Sequence, residues 1–227
     1  MTGWFVAVEG IDASGKSTVA AQLAAELTAA GRPAVLVDRR SAPALAGGYP
    51  GEHLAGLARL IWDYPPDART SELGFCHWSR LLAAWFHAVS EVVVGPALAG
   101  GATVIADSWW HKFAARFALT VGLSQARAVF DGATVPDQVL WLDVPPQVCA
   151  QRRTALRATE RGEWQGLRDC DDGYLRYQRQ VRAVLESMAT AGGWRVLPDA
   201  ADERLAAALE LVTGRAAAAG AIAGTPA

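Results

Sequence analysis

The chain has little lysine. Of its 21 basic residues only Lys16 and Lys112 are lysines, and the other 19 are arginines, so both positions stand out as candidates for chemistry. Cysteine is scarce too. Cys76, Cys149 and Cys170 are odd in number and far apart, which argues against a disulfide framework or a zinc site and fits a reducing compartment. Charge is sparse and balanced, 19% of residues with a formal net of −2. The chain therefore offers no global basic field, and nucleic acid is not an expected partner. No basic segment followed by an apolar run is read near the start, so no signal peptide is expected and a cytoplasmic location is. One stretch, 73–99, is long and apolar, but it carries His77, Arg80, His87 and Glu91. A bilayer core penalises such groups heavily. At 100° per residue these four fall on one stripe, which predicts a core helix with a polar seam and no membrane partner.

Apolar residues make up 52% of the 227, enough for one large core and too many for general disorder. Short apolar runs at 4–8, 34–38, 103–107, 138–142 and 194–197 alternate with helical patterns. That alternation predicts βαβ units: an α/β fold with a five-stranded parallel sheet covered by helices on both faces. Ligands of such sheets bind beyond the carboxyl ends of the strands. Residues 1–213 read as a single domain, and the Ala/Gly-rich residues 214–227 as a flexible tail.

The strongest local signal is GIDASGKS at 10–17, a full match to G-x-x-x-x-G-K-[ST] between an apolar strand and a helix. Such a loop cradles phosphates with its backbone N–H groups. Gly10, Ile11, Asp12, Ala13, Ser14, Gly15, Lys16, Ser17 and Thr18 are thus the candidate ATP-binding residues. Lys16 reaches the outer phosphates and Ser17 offers its hydroxyl to Mg²⁺. Asp107 and Asp143, each closing a strand, are rival carboxylates for the metal, and either can instead cap the following helix.

These residues resemble the bacterial thymidylate kinases. FVAVEGIDASGKST is similar to that family's opening, EGxDGxGKST. PALAGGATVIAD is similar to its run into a D-R-Y/H motif, and PDQVLWLDVPPQVCAQR to its PDL-x-x-x-LDVPPE-x-x-x-x-R segment. The resemblance spans about residues 4 to 190 in matching order. It implies a P-loop kinase fold, ATP with Mg²⁺, an arginine-bearing lid and pairing of two copies as a homodimer. By the same resemblance Asp12, Lys16, Ser17 and Asp107 take the catalytic and phosphate-handling roles, with Ser17 and Asp107 at the metal, and Arg80 faces the acceptor.

The departures fall on the acceptor half. Ser108 stands where the family has the arginine that grips the acceptor's phosphate. Cys76 stands where it has the aromatic that stacks on thymine. Its amide-bearing stretch after the D-R-Y/H motif is here Lys112-Phe113-Ala114-Ala115-Arg116-Phe117. Arg39, Cys76, Arg80, Trp109, Lys112 and Arg116 are therefore the candidate acceptor-binding residues, with Trp110 a second candidate wall. Lys112 and Arg116, one turn apart, share a face and can replace the lost arginine. The lid is placed at about 152–168, where Arg153, Arg157 and Arg161 would stack on one face of a helix and stabilise charge on the moving phosphoryl group. The expectation is an ATP-dependent phosphotransferase acting on a small anionic acceptor, a nucleotide or nucleoside-like metabolite other than dTMP. A kinase of a non-nucleotide metabolite and a nucleotide-binding regulatory protein are the alternatives.

Overall fold

The computed structural model describes residues 3–65, 67–153, 158–167 and 170–223. Its centre is β1 (Trp4–Gly10), where Phe5, Val6, Ala7 and Val8 are wholly buried. An all-apolar strand is what a sheet covered on both faces requires. After β1 come α1 (Lys16–Ala29) and β2 (Ala34–Val37). The Gly/Pro-rich connection then folds into α2 (Ser41–Ala46) and α3 (Gly48–Trp62). A 3-10 turn, Thr70–Leu73, leads into α4 (Gly74–Val89), a π-helical turn (Ser90–Val94) and α5 (Gly95–Ala99). β3 (Thr103–Asp107), α6 (His111–Val121), α7 (Leu123–Ala128), β4 (Gln138–Leu142) and α8 (Pro146–Gln151) follow, then α9 (Gly173–Gly192), β5 (Arg195–Val196) and α10 (Ala201–Ala223).

The five strands form one parallel sheet in the order β2-β3-β1-β4-β5. In the register of β1, Val8 pairs with Asp107 and Gly10 with Leu142. The carboxyl ends of β1, β3 and β4 therefore come level, and the phosphate loop and Asp107 emerge side by side.

The long helical stretch explains its own composition. Trp78, Leu82, Trp85, Phe86 and Val89 are buried, while His77, Arg80 and Glu91 face solvent. By length and composition alone Thr70–Ala99 would pass for a membrane span; here its apolar side packs within the molecule. Pro96 has no N–H to continue the α ladder. The helix widens to a π turn just before it, where the Ser90 hydroxyl donates to the Phe86 carbonyl at 2.7 Å.

Three expectations change. β5 is a two-residue edge with both side chains exposed, not a buried strand. α10 continues to Ala223 instead of ending near 213, as the high helix propensity of an alanine-rich run favours. The arginine-rich segment is not one helix: α8 ends at Gln151, and 3-10 turns occupy Ala158–Glu160 and Glu163–Gln165.

The sheet centre carries the stability. Leu140 on β4 is wholly buried, and Leu140→Ala is expected to cost about 2–5 kcal/mol. Urea unfolding checks this; a loss below about 1 kcal/mol would show that the sheet repacks around the gap.

Candidate active site

The loop after β1 is tight by construction. A Cβ at Gly10 would lie 2.6 Å from Ser14 Oγ and 2.8 Å from the Leu142 carbonyl oxygen, so only glycine fits. Gly15, with φ 103°, sits in the left-handed region as N-cap of α1, a conformation glycine adopts at little cost. The result is a cradle for a phosphate chain, with α1's N-terminus pointing into it. Lys16 is buried and donates from Nζ to the Ile11 carbonyl at 2.7 Å. Burial, and next the neighbouring Lys112, lower its pKa to about 8.

A cavity of about 500 Å³ opens beside this loop. Asp12, Ala13, Lys16 and Ser17 line it from the loop, Asp107 and Ser108 from the end of β3, Lys112 and Arg116 from α6. Asp12 is its electrostatic hub. Its carboxylate accepts from Lys112 Nζ at 3.0 Å, from Arg116 Nη2, and from Gln178 Nε2 of α9 at 3.3 Å. Burial opposes its charge, but Arg116, Lys112 and Lys16 outweigh it and hold the carboxyl well below its ordinary range. The Arg116 guanidinium is pushed up in return, chiefly by Asp12 working against its own burial.

The two rival carboxylates differ in their partners. Asp143 is held by Arg182 in a two-pronged contact, 2.6 Å from Nε and 2.7 Å from Nη2, and does not line the cavity. Asp107 lines it together with Ser17. A hydroxyl and a carboxylate are the hard oxygen donors that Mg²⁺ takes.

Arg39 and Trp109 also border the cavity. Cys76 and Arg80 do not: both are exposed on α4's outer face. That helix instead turns Trp78, Leu82, Trp85 and Phe86 toward the cavity. Two residues of helix rotate a side chain by about 200°, so matching the family motif at 76 and 80 selects the face opposite the one that packs. Trp110 lines a different crevice, stacked on His111 at 4.0 Å. Arg153 pairs with Glu160 and lines the cavity; Arg157 lies outside the described residues.

Glu9 is a residue the motif reading passed over. It is wholly buried at the end of β1. It accepts from Ser108 Oγ at 3.0 Å and the Trp109 N–H at 2.8 Å, and His111 Nδ1 lies 3.1 Å away. Ser108 is held here with φ 64°, so the turn after Asp107 is fixed by a carboxylate from the neighbouring strand.

Beside the cavity, the segment 158–167 is docked on the turn before α4. Thr70 Oγ1 and Ser71 Oγ donate to Glu163 at 2.6 and 3.0 Å, and Tyr64 OH lies 3.1 Å from Thr159 Oγ1. Gln178 Nε2 donates to the Glu160 carbonyl at 3.0 Å, tying this segment to the hub at Asp12. A phosphate cradle beside a cavity at the carboxyl ends of a parallel sheet is the arrangement of a P-loop kinase.

Comparison with known proteins agrees. The profile of a family described as "AAA domain" matches residues 5–168. A thymidylate kinase of Cereibacter sphaeroides is 33% identical over 82% of this chain and 82% of its own. One of Ruegeria pomeroyi is 33% identical over 70% and 72%, and one of Burkholderia cenocepacia 28% over 92% and 99%. The chain belongs to the thymidylate kinase family, and it is an ATP-dependent kinase.

The buried lysine gives a direct test of the cradle. With a pKa of about 8, Lys16 is about half protonated at pH 8, and a polyphosphate beside it favours the charged form. Nucleotide binding at pH 8 is expected to take up roughly half a proton per site, and Lys16→Met to abolish the uptake. Calorimetry in buffers of different ionisation enthalpy reads it; equal uptake in the variant would place the proton elsewhere.

Proposed function

We propose that this kinase transfers the γ-phosphoryl group of MgATP to a small anionic acceptor other than dTMP. The observation that carries this is the pair Lys112 and Arg116, converging on Asp12 inside the cavity. Ser108, which replaces the arginine of the related kinases, is instead bound to Glu9. The anion grip has moved from the turn after β3 to the face of α6.

Each residue has a task in this reading. The loop backbone and Lys16 hold the donor phosphates. Ser17 and Asp107 are the oxygen ligands offered to Mg²⁺, which would neutralise phosphate charge. Asp12 is too acidic to remove a proton from a hydroxyl near neutral pH. It keeps Lys112 and Arg116 extended into the cavity until the acceptor's own anion takes them over. A phosphate oxygen needs no base, since a monophosphate's second pKa is about 6. That favours a phosphorylated acceptor over an alcohol. Arg153 and the covering segment close over the reacting groups and exclude water.

Two features of the assembly belong to the same reading. The three cysteines are free, which supports a cytoplasmic enzyme. The apolar side of α4 is internal, so it is not the surface for pairing. Exposed Tyr49, Leu60 and Leu73 on α3 and the following turn support a two-fold dimer through that side. Sedimentation at micromolar concentration should show a dimer; a monomer alone would refute it.

Removing one charge-assisted contact to the acceptor costs about 1.5–3 kcal/mol. Lys112→Ala and Arg116→Ala are each expected to raise the acceptor's KM about tenfold or more with the KM for ATP nearly unchanged. Lys16→Ala should remove most transfer. In steady-state ADP release over a panel of nucleoside monophosphates and other phosphorylated metabolites, dTMP should not show the highest kcat/KM. If it does, the acceptor reading is wrong.

A further inference from the structure

Part of the cavity's lining is apolar, beside polar residues such as Arg39, Gln165 and Tyr177. α4 contributes Trp78, Leu82 and Trp85, α3 contributes Ile61, and α6 contributes Phe113 and Phe117. Three polar handles of this lining have partners within the protein. Trp78 Nε1 donates to the Thr70 carbonyl at 2.6 Å, Trp109 Nε1 to the Thr134 carbonyl at 2.8 Å, and Tyr64 OH pairs with Thr159. Between the two phenylalanines, Ala114 and Ala115 are wholly buried and supply no amide. A pyrimidine laid against this wall would give up its water on several donors and acceptors and find few replacements, which is costly. A hydrocarbon would give up none and gain by leaving water.

The apolar lining and the cations meet at Phe113. Lys112 Nζ lies 5.4 Å and Arg116 Cζ 5.9 Å from that ring's centroid, so the anion grip begins where the apolar wall stops. Amphipathic ligands match such a site, and about 500 Å³ is within the range of small-molecule pockets.

Resting on the phosphotransferase reading above, we infer that the acceptor is a hydrophobic monophosphate: one phosphate on an aromatic or branched hydrocarbon body without a hydrogen-bonding edge. The bond from the γ-phosphorus to its bridging oxygen breaks, and one acceptor phosphate oxygen bonds to that phosphorus. The products are ADP and a hydrophobic diphosphate. The attacking oxygen is already anionic, so no proton is removed and nothing is oxidised or reduced.

Binding and transfer together test this. With a non-hydrolysable ATP analogue present, calorimetry compares phenethyl phosphate and dimethylallyl phosphate with dTMP, UMP, AMP, ribose phosphate and inorganic phosphate. At least one of the first two should bind roughly tenfold or more tighter than every other probe, and which one does separates an aryl from a prenyl body. A nucleoside monophosphate binding as tightly overturns the inference and leaves the kinase reading intact. The hydrophobic phosphates binding tightest without any acceptor-dependent ADP release supports the site's chemistry and refutes the transfer. Leu82→Gln adds an amide to the wall. It should weaken the hydrophobic phosphate roughly tenfold and leave inorganic phosphate and the ATP analogue unchanged, those two also reporting an intact fold. Unchanged affinity for the hydrophobic phosphate in this variant overturns the assignment.

Discussion

The buried charge of Asp12 is the constraint around which the site is arranged. A carboxylate there is unfavourable alone and must be paired. Lys112 and Arg116 of α6 and Gln178 of α9 do so. These partners come from distant parts of the chain, so the phosphate loop, α6 and α9 are tied at one point. Gln178 also bonds the Glu160 carbonyl, which carries the tie on to the segment 158–167.

Much of this was legible in the sequence, and the limits have physical causes. The four longer strands and the loop were readable because buried parallel strands are continuous apolar runs and the loop's glycines are sterically required. Lys112 and Arg116 were readable because one helical turn brings them to one face. The face of α4 was misjudged at Cys76 and Arg80. The burial pattern at 78, 82, 85, 86 and 89 points the other way, and packing decides which side of a helix turns inward. The spacing of Arg153, Arg157 and Arg161 would stack them only on a continuous helix, and spacing says nothing about whether the backbone continues past Gln151, where α8 ends. Glu9 escaped notice since its partners Ser108, Trp109 and His111 are about a hundred residues away.

On the proposed reading, a fold can change its acceptor at small structural cost. Ser108 keeps the turn after Asp107 in its left-handed conformation, held by Glu9. Lys112 and Arg116 stand on α6, and large rings line the same cavity.

Both lysines of the chain border the same cavity, and this makes the protein unusual toward amine-selective reagents. Apart from the chain's own α-amino group, acylation has two targets, and they differ in kind. Lys16 carries a substantial unprotonated fraction near pH 8 and sits where ATP shields it. Lys112 is paired with Asp12 and, on the proposed reading, sits where the acceptor would shield it. Labelling stoichiometry followed by mass spectrometry thus becomes an occupancy meter for each half of the site, with almost no background from the arginine-rich surface.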